Sequence, residues 1–332
     1  MVSGYGLRLA KALVLLIAPT AALAEEAPRF VLPVACELGL SCFVQNYVDA
    51  DPTPSARDHQ CGTLSYDGHN GTDFRLPTMA AQRAGVDVLA AAAGKVLRRR
   101  DGVADESVRG NGEASVKGVE CGNAVLIEHD EGWQTQYCHM ARGSLRVEVG
   151  DRVEAGQPIG RVGLSGLTEY PHLHFIVRHR GEIADPFAHE AAPNACGGGR
   201  KLWEPALVSL LEYKPRAVLN AGFAAASVSM ATLEAGDAEQ KPGIDAPALV
   251  AYVRAIGLKS GDLQTLVLSG PAGQELAKHE AQKLERNQAQ SLVFAGTRKP
   301  ASGWGKGTYR AKYRVLRDGN AVLERSFDID LQ

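Results

Sequence analysis

The 332-residue sequence contains no H-E-x-x-H and no C-x-x-C. The first absence removes the helix-borne metal motif in which a glutamate serves as base. The second argues against a cysteine-ligated metal. An excess of basic charge is also missing: 36 Lys and Arg stand against 38 Asp and Glu, a formal net charge of −2. Bulk electrostatics therefore offer nothing to a polyanion, and nucleic acid is excluded as a partner on that ground. After the first two dozen residues no stretch approaches the roughly 20 apolar residues that span a bilayer, so no transmembrane segment is expected once that stretch is removed.

The opening residues have their own pattern. Arg8 and Lys11 form a short basic region, Ala12 to Ala18 is apolar, and Ala22-Leu23-Ala24 is a small-x-small cleavage site. This reads as a signal peptide over 1–24, so the mature chain is expected to be exported. Periplasm is favoured and secretion is the alternative, because no wall-sorting tail is evident. All six cysteines (Cys36, Cys42, Cys61, Cys121, Cys138 and Cys196) lie beyond that segment and before Arg200. Disulfides are expected, with fifteen pairings open in principle. Cys36 with Cys42 closes a small loop, Cys121 and Cys138 flank a hairpin, and Cys61 with Cys196 remain by elimination.

Short strands separated by glycine run from about Tyr66 to Phe187. Asn123 to His129 and Gln134 to His139, joined by Asp130-Glu131-Gly132, read as a hairpin. Arg98 to Gly118 is polar and aperiodic and reads as a surface loop, while Cys196-Gly197-Gly198-Gly199 marks a connector. Beyond it, Phe223 to Leu233 and Leu263 to Leu268 read as strands. Tyr309, Ala311, Tyr313 and Val315 alternate with charged residues, then Asp318-Gly319 supplies a turn before Phe327, Ile329 and Leu331 alternate again. A period of two with a D-G dipeptide predicts a hairpin. The fold class is all-β: a compact antiparallel β domain, then a smaller immunoglobulin-like β-sandwich. The expected divisions are the signal peptide 1–24, a cysteine-containing segment 25–65 packed on the next domain, a domain over 66–199, and the sandwich over 200–332. His279 to Gln290 fits either a helix or a strand-and-loop segment.

The chemistry-bearing residues gather in Pro171-His172-Leu173-His174 and, about a hundred residues upstream, His69-Asn70-Gly71-Thr72-Asp73. Side chains two apart on a strand share a face, so His172 and His174 project together. Two histidines and an aspartate give a zinc ion three N/O ligands and leave a fourth position open. His139, in Tyr137-Cys138-His139-Met140, completes the candidate set. Spacing alone leaves open whether His172 or His174 is the ligand. Tyr137 reads as a core residue, and Asn123 as a strand-entry residue bonding to backbone. His59, His129, His179, His189 and His279 read as structural or solvated.

These segments, with Gly122-Asn123-Ala124-Val125, Val149-Gly150-Asp151-Arg152-Val153, Gly156-Gln157-Pro158-Ile159-Gly160, Ser165-Gly166 and Asp185-Pro186, resemble the lysostaphin-like (LytM-type) zinc metallopeptidases, which cleave peptides of bacterial cell walls. The resemblance covers roughly Tyr66 to Phe187. The metal and catalytic positions show no departure, and Met140 stands where the family usually has leucine. The resemblance implies a zinc endopeptidase acting on peptidoglycan peptides, with one Zn2+ per chain held by His69, Asp73 and His174. His172 and His139 would be the catalytic histidines: His172 orients or deprotonates water, and His139 donates to the oxyanion or leaving amine. The alternative is a non-catalytic LytM-type regulator that activates another wall hydrolase. For the C-terminal domain the expectations are a regulatory protein partner, a structural role, or cover for the groove.

Overall fold

The structure is a computed structural model that describes residues 1–4, 27–239 and 241–332. The expected signal segment falls, apart from its first four residues, outside the described residues. The strands are β1 (Phe43–Asn46), β2 (Thr72–Arg75), β3 (Asp87–Leu89), β4 (Gly94–Arg100), β5 (Asn123–Glu128), β6 (Trp133–Met140), β7 (Arg152–Val153), β8 (Pro158–Arg161), β9 (His172–His179) and β10 (Glu182–Ile183). There follow β11 (Ala217–Ala224), β12 (Ala248–Leu258), β13 (Leu263–Ser269), β14 (Glu275–Glu280), β15 (Gln288–Arg298), β16 (Gly307–Arg317) and β17 (Asn320–Leu331). Among the described residues three short helices interrupt them: α1 (Met79–Ala84), α2 (Val108–Asn111) and α3 (Met230–Ala235). The protein is mostly β, as expected.

The largest sheet runs β1-β2-β9-β6-β5-β4-β7, with β10 on β9, and its named pairs are antiparallel. Strand alternation sorts its side chains. Leu173, Phe175 and Val177 of β9 join Phe74 of β2 and Tyr137 of β6 in one core, which also takes Phe30, Trp203 and Leu211. Phe30, Phe175 and Trp203 meet edge-on or tilted, at centroid distances of 6.0 to 6.4 Å, within the favourable range for aromatic pairs. Residues before β1 are part of this body: Val31 N–H donates to Ala91, and Leu89 N–H to Pro33. The three disulfides are Cys36–Cys42, Cys61–Cys196 and Cys121–Cys138.

A second core lies between a three-stranded sheet, β11-β12-β15, and a four-stranded one, β14-β13-β16-β17. This is the expected sandwich. Its β16–β17 hairpin turns on Asp318 and Gly319, both with positive φ (50° and 81°), as a two-residue type I′ turn requires. The strand expected over Phe223 to Leu233 stops at Ala224. Ser229 and Thr232 form a reciprocal capping box, and the chain turns into α3 instead; that local hydrogen bonding outweighs the apolar run. Within His279 to Gln290, the ends belong to β14 and β15, with no helix between.

The two bodies meet along a seam. Phe43 of β1 packs with Leu219 and Ile256 of β11 and β12. Beside them, the fully buried Arg75 of β2 donates to Glu234 of α3 at 2.9 Å and to Gln45 at 2.6 Å, and its guanidinium lies 3.9 Å from the Tyr170 ring centroid. Arg254 of β12 approaches the same Glu234 carboxylate at 2.6 Å.

Candidate metal centre

Register brings the two sequence motifs together. In β2 and β9, Asp73 lies directly opposite His174, and Arg75 opposite His172. On the far side of β9, Cys138 of β6 pairs with His174. Because His172 and His174 are two apart in one strand, both face away from the Leu173–Phe175 core. His69 arrives from the preceding loop, where its N–H bonds to the Tyr66 carbonyl.

Three donor atoms converge. Asp73 Oδ1 is 2.8 Å from His174 Nδ1 and 3.2 Å from His69 Nε2, and those two nitrogens are 3.2 Å apart. The second nitrogen of each ring reveals which one carries hydrogen. His69 Nδ1 lies 2.7 Å from the Tyr47 carbonyl, an acceptor, so it is the protonated nitrogen of a neutral ring and Nε2 presents a lone pair. His174 Nε2 lies 3.0 Å from Asn70 Oδ1 and His174 Nδ1 is the free one by the same reasoning. Asn46 Nδ2 donates to Asp73 Oδ2 at 2.9 Å, leaving Oδ1 for the centre. Two lone pairs and a carboxylate oxygen within 4.8 Å of one another repel unless a cation lies between them. Two N and one O fit a catalytic zinc with an open fourth position.

The charges agree with that reading. Asp73 is buried, which opposes its ionisation, yet the positive charge that His69 and His172 carry when protonated, with the close approach of His174 and His69, holds its carboxyl well below the usual range. Burial works against charge on His69, but Asp73 outweighs it and raises that pKa. The pocket attracts positive charge.

Gly71 is dictated by this packing. A Cβ there would stand 2.7 Å from His174 Cε1 and 2.8 Å from the Phe175 carbonyl. Only glycine lets the His69–Asp73 loop lie against the ring.

The other two histidines border the same space. His172 Nε2 is 3.5 Å from Asp73 Oδ1, while its Nδ1 faces the Tyr170 carbonyl at 2.9 Å and Thr168 Oγ1 at 3.0 Å. His139 Nδ1 bonds the Ser165 carbonyl at 2.8 Å, and its ring centroid is 4.7 Å from that of His172. Burial lowers the pKa of both, that of His139 strongly. Both therefore rest neutral with Nε2 unprotonated. Strand alternation alone would turn His139 towards the core with Tyr137. Its φ of 61° turns it out instead, and the turn is pinned by His139 N–H to Cys121 O and by Gly163 N–H to His139 O.

A groove of about 310 Å³ opens over His69, His139 and His174, walled by Tyr66, Asn70, Leu167 and Arg178 among others. Its lining residues all lie between Tyr66 and Arg178, so the sandwich does not roof it. The loop after β4 borders this region: Val108 N–H bonds Thr168, and Asp105 accepts from Leu164 and Arg142.

Sequence reasoning gave no role to the residues that orient the rings, Tyr47, Asn70, Ser165 and Tyr170, or to Asn46, which fixes the Asp73 carboxylate. Three of these act through backbone carbonyls, which leave no mark on residue type. Asn70 and Ser165 sat inside recognised motifs, but without an orienting role. Asn123 shapes the strand entry as expected, its side chain bonding Val103 and Met140 backbone. His129 is structural, tied to the Ala93 carbonyl and Thr135. Tyr137 is fully buried and accepts from Ala91 N–H.

Peptidoglycan DD-endopeptidase ShyB of Vibrio cholerae is 33% identical over 114 residues, which are 34% of this chain and 21% of ShyB. Murein hydrolase activator EnvC of Escherichia coli is 40% identical over 65 residues, 20% of this chain and 15% of EnvC. Among solved structures, a zinc-containing peptidase from Vibrio cholerae matches at 27% identity and a TM-score of 0.28, covering 43% of this chain and 39% of the other. The chain thus spans about a fifth or less of the two curated relatives' length. The model of Peptidase family M23 matches residues 67–186. That stretch holds all five histidine and aspartate positions of the centre, and it is a peptidase family M23 domain.

Proposed function

We propose that this protein is an exported zinc-dependent endopeptidase that hydrolyses peptide bonds in peptidoglycan stem peptides or cross-links. The observation that carries this reading is the convergence of His69 Nε2, Asp73 Oδ1 and His174 Nδ1, three electron-pair donors with no hydrogen to share. Zinc bound there supplies Lewis acidity, polarising a carbonyl and acidifying water. The protein's own groups do the rest. His172 Nε2, beside Asp73, accepts the proton of the attacking water. Its Nδ1–H, fixed on the Tyr170 carbonyl, keeps that nitrogen in the acceptor form. His139 rests in the same form, so it donates to the oxyanion or leaving nitrogen only after gaining a proton. The groove holds an extended peptide across these rings. ShyB, a DD-endopeptidase by name, supports the substrate class. The signal-like opening and the three disulfides support an oxidising compartment outside the cytoplasm, the periplasm first.

The match to EnvC favours a second reading, a wall-hydrolase activator without its own turnover. A complete ligand set speaks against it. Metal analysis of the purified protein, followed by mass spectrometry of digested peptidoglycan, separates the two. Zinc-dependent release of peptides supports the endopeptidase. Absence of both zinc and products ends that reading.

A further inference from the structure

The groove floor continues past the histidines along β9. His174, Ile176 and Arg178 occupy alternate positions and share one face. Opposite them in β6 stand Cys138, Gln136 and Gln134. Gln136 is pinned from both ends: Nε2 donates to the sulfurs of Cys121 and Cys138 at 3.1 and 3.4 Å, and Oε1 accepts from Arg178 Nη1 at 2.8 Å. Since Gln136 pairs with Ile176, this bond draws the guanidinium from its own position back towards the histidines.

That guanidinium meets no anion among the described residues. Among the described residues, every other buried or part-buried arginine pairs with a carboxylate: Arg57 with Asp51, Arg75 and Arg254 with Glu234, Arg99 with Glu148, Arg216 and Arg317 with Asp262. Arg178 is part-buried and meets only the neutral amide of Gln136. One hydrogen bond leaves most of its five N–H donors for a ligand. Arg100, also on the groove, differs in being exposed and lying near Glu120, whose carboxyl is lowered by backbone hydrogen bonds and then by Arg100. A part-desolvated, unpaired guanidinium matches the two oxygens of a carboxylate.

We propose that Arg178 is a specificity residue of this groove, binding a free carboxylate on an extended peptide at a fixed distance from the scissile bond. Four strand residues place the Arg178 Cα about 13 Å from that of His174, and the pull to Gln136 shortens the reach to about 7 Å. An extended peptide covers this in roughly two to four residues. The carboxylate belongs to a side chain or to the peptide's C-terminus. The proposal rests on the peptidase reading for what lies in the groove, and its test separates the two.

The mature full-length protein is offered purified peptidoglycan, either untreated or with its carboxyl groups converted to amides by carbodiimide and ammonium. Sedimentation measures binding, and peptide release measures cleavage. The wild type is expected to bind the untreated polymer about tenfold more tightly than the amidated one, the size of one charge-assisted pair. In Arg178→Gln this ratio falls to near one, and Arg178→Lys restores part of it. Zinc content of each variant reports that it folds. Two synthetic pentapeptides, one with its only carboxylate on a side chain and one with it only at the C-terminus, then compete for binding. Displacement by either, from wild type but not from Arg178→Gln, supports the proposal and identifies the source. A wild type indifferent to amidation, an Arg178→Gln variant that keeps the preference, or no displacement by either peptide overturns it. Cleavage with no Arg178-dependent preference defeats this proposal alone. An Arg178-dependent preference without cleavage defeats the peptidase reading alone.

Discussion

Asp73 and Arg75 sit two residues apart on one strand, both essentially buried, and the protein treats their charges differently. Around Arg75 the chain supplies the counterparts itself: the Glu234 carboxylate, the Gln45 amide and the Tyr170 ring face. Around Asp73 it supplies the Asn46 amide on one oxygen and, on the other, ring nitrogens whose hydrogens are committed elsewhere. The first cluster ties two bodies together, and the second is short of a cation. A buried charge left short of its partner marks the place where something else binds.

The largest effect should come from emptying the second cluster. Asp73→Ala is expected to abolish zinc retention and reduce peptide release to background, measured by metal analysis and muropeptide digestion. Gly71→Ala should do nearly as much without touching a ligand, because its methyl meets the His174 ring. A Gly71→Ala protein with full zinc would contradict the tight packing. Next in size, His139→Ala should keep the metal and lower kcat by about 10² to 10⁴, the range for a proton-transfer group.

Breaking the first cluster should give a different signature. Glu234→Ala leaves Arg75 and Arg254 buried without their shared carboxylate, which costs about 3–5 kcal/mol. Thermal unfolding should shift down while zinc content, measured below the transition, stays unchanged. Loss of zinc in this variant would show that the seam and the centre are not separable.

Legibility differs along the same line. The pairing of His172 with His174 follows from the two-residue period of a strand, and the β16–β17 hairpin from the same period plus Asp318-Gly319. Fold class and candidate donors were therefore readable. His139 was readable as a motif but not as geometry, since its outward turn depends on a positive φ held by Cys121 and Gly163 backbone. The Arg75–Glu234 pair joins residues 159 apart, and neither lies in a pattern that announces the other. Helix α3 was misread because its Ser229–Thr232 cap competes with an apolar run of strand character.

The smallest effect is a pH dependence away from both clusters. Asp185 keeps some surface exposure, but burial of its carboxyl pushes its pKa up to about 7, and nearby Asp58 adds to the rise against a hydrogen bond from Phe187. A folded-state pKa above the unfolded one means that folding is favoured by the proton. That contribution is full below the unfolded value of 3.8 and is lost as pH rises towards about 7. Asp185→Asn should flatten this part of the stability profile, seen as urea midpoints compared between pH 4 and 8. An unchanged slope would remove Asp185 as its source.

His172 and His174 of Pro171-His172-Leu173-His174 have unequal jobs, and zinc stoichiometry of two single variants tests that split most directly. His172→Ala should retain one zinc per chain while losing turnover, and His174→Ala should retain none. Zinc held by His174→Ala but lost from His172→Ala would contradict it.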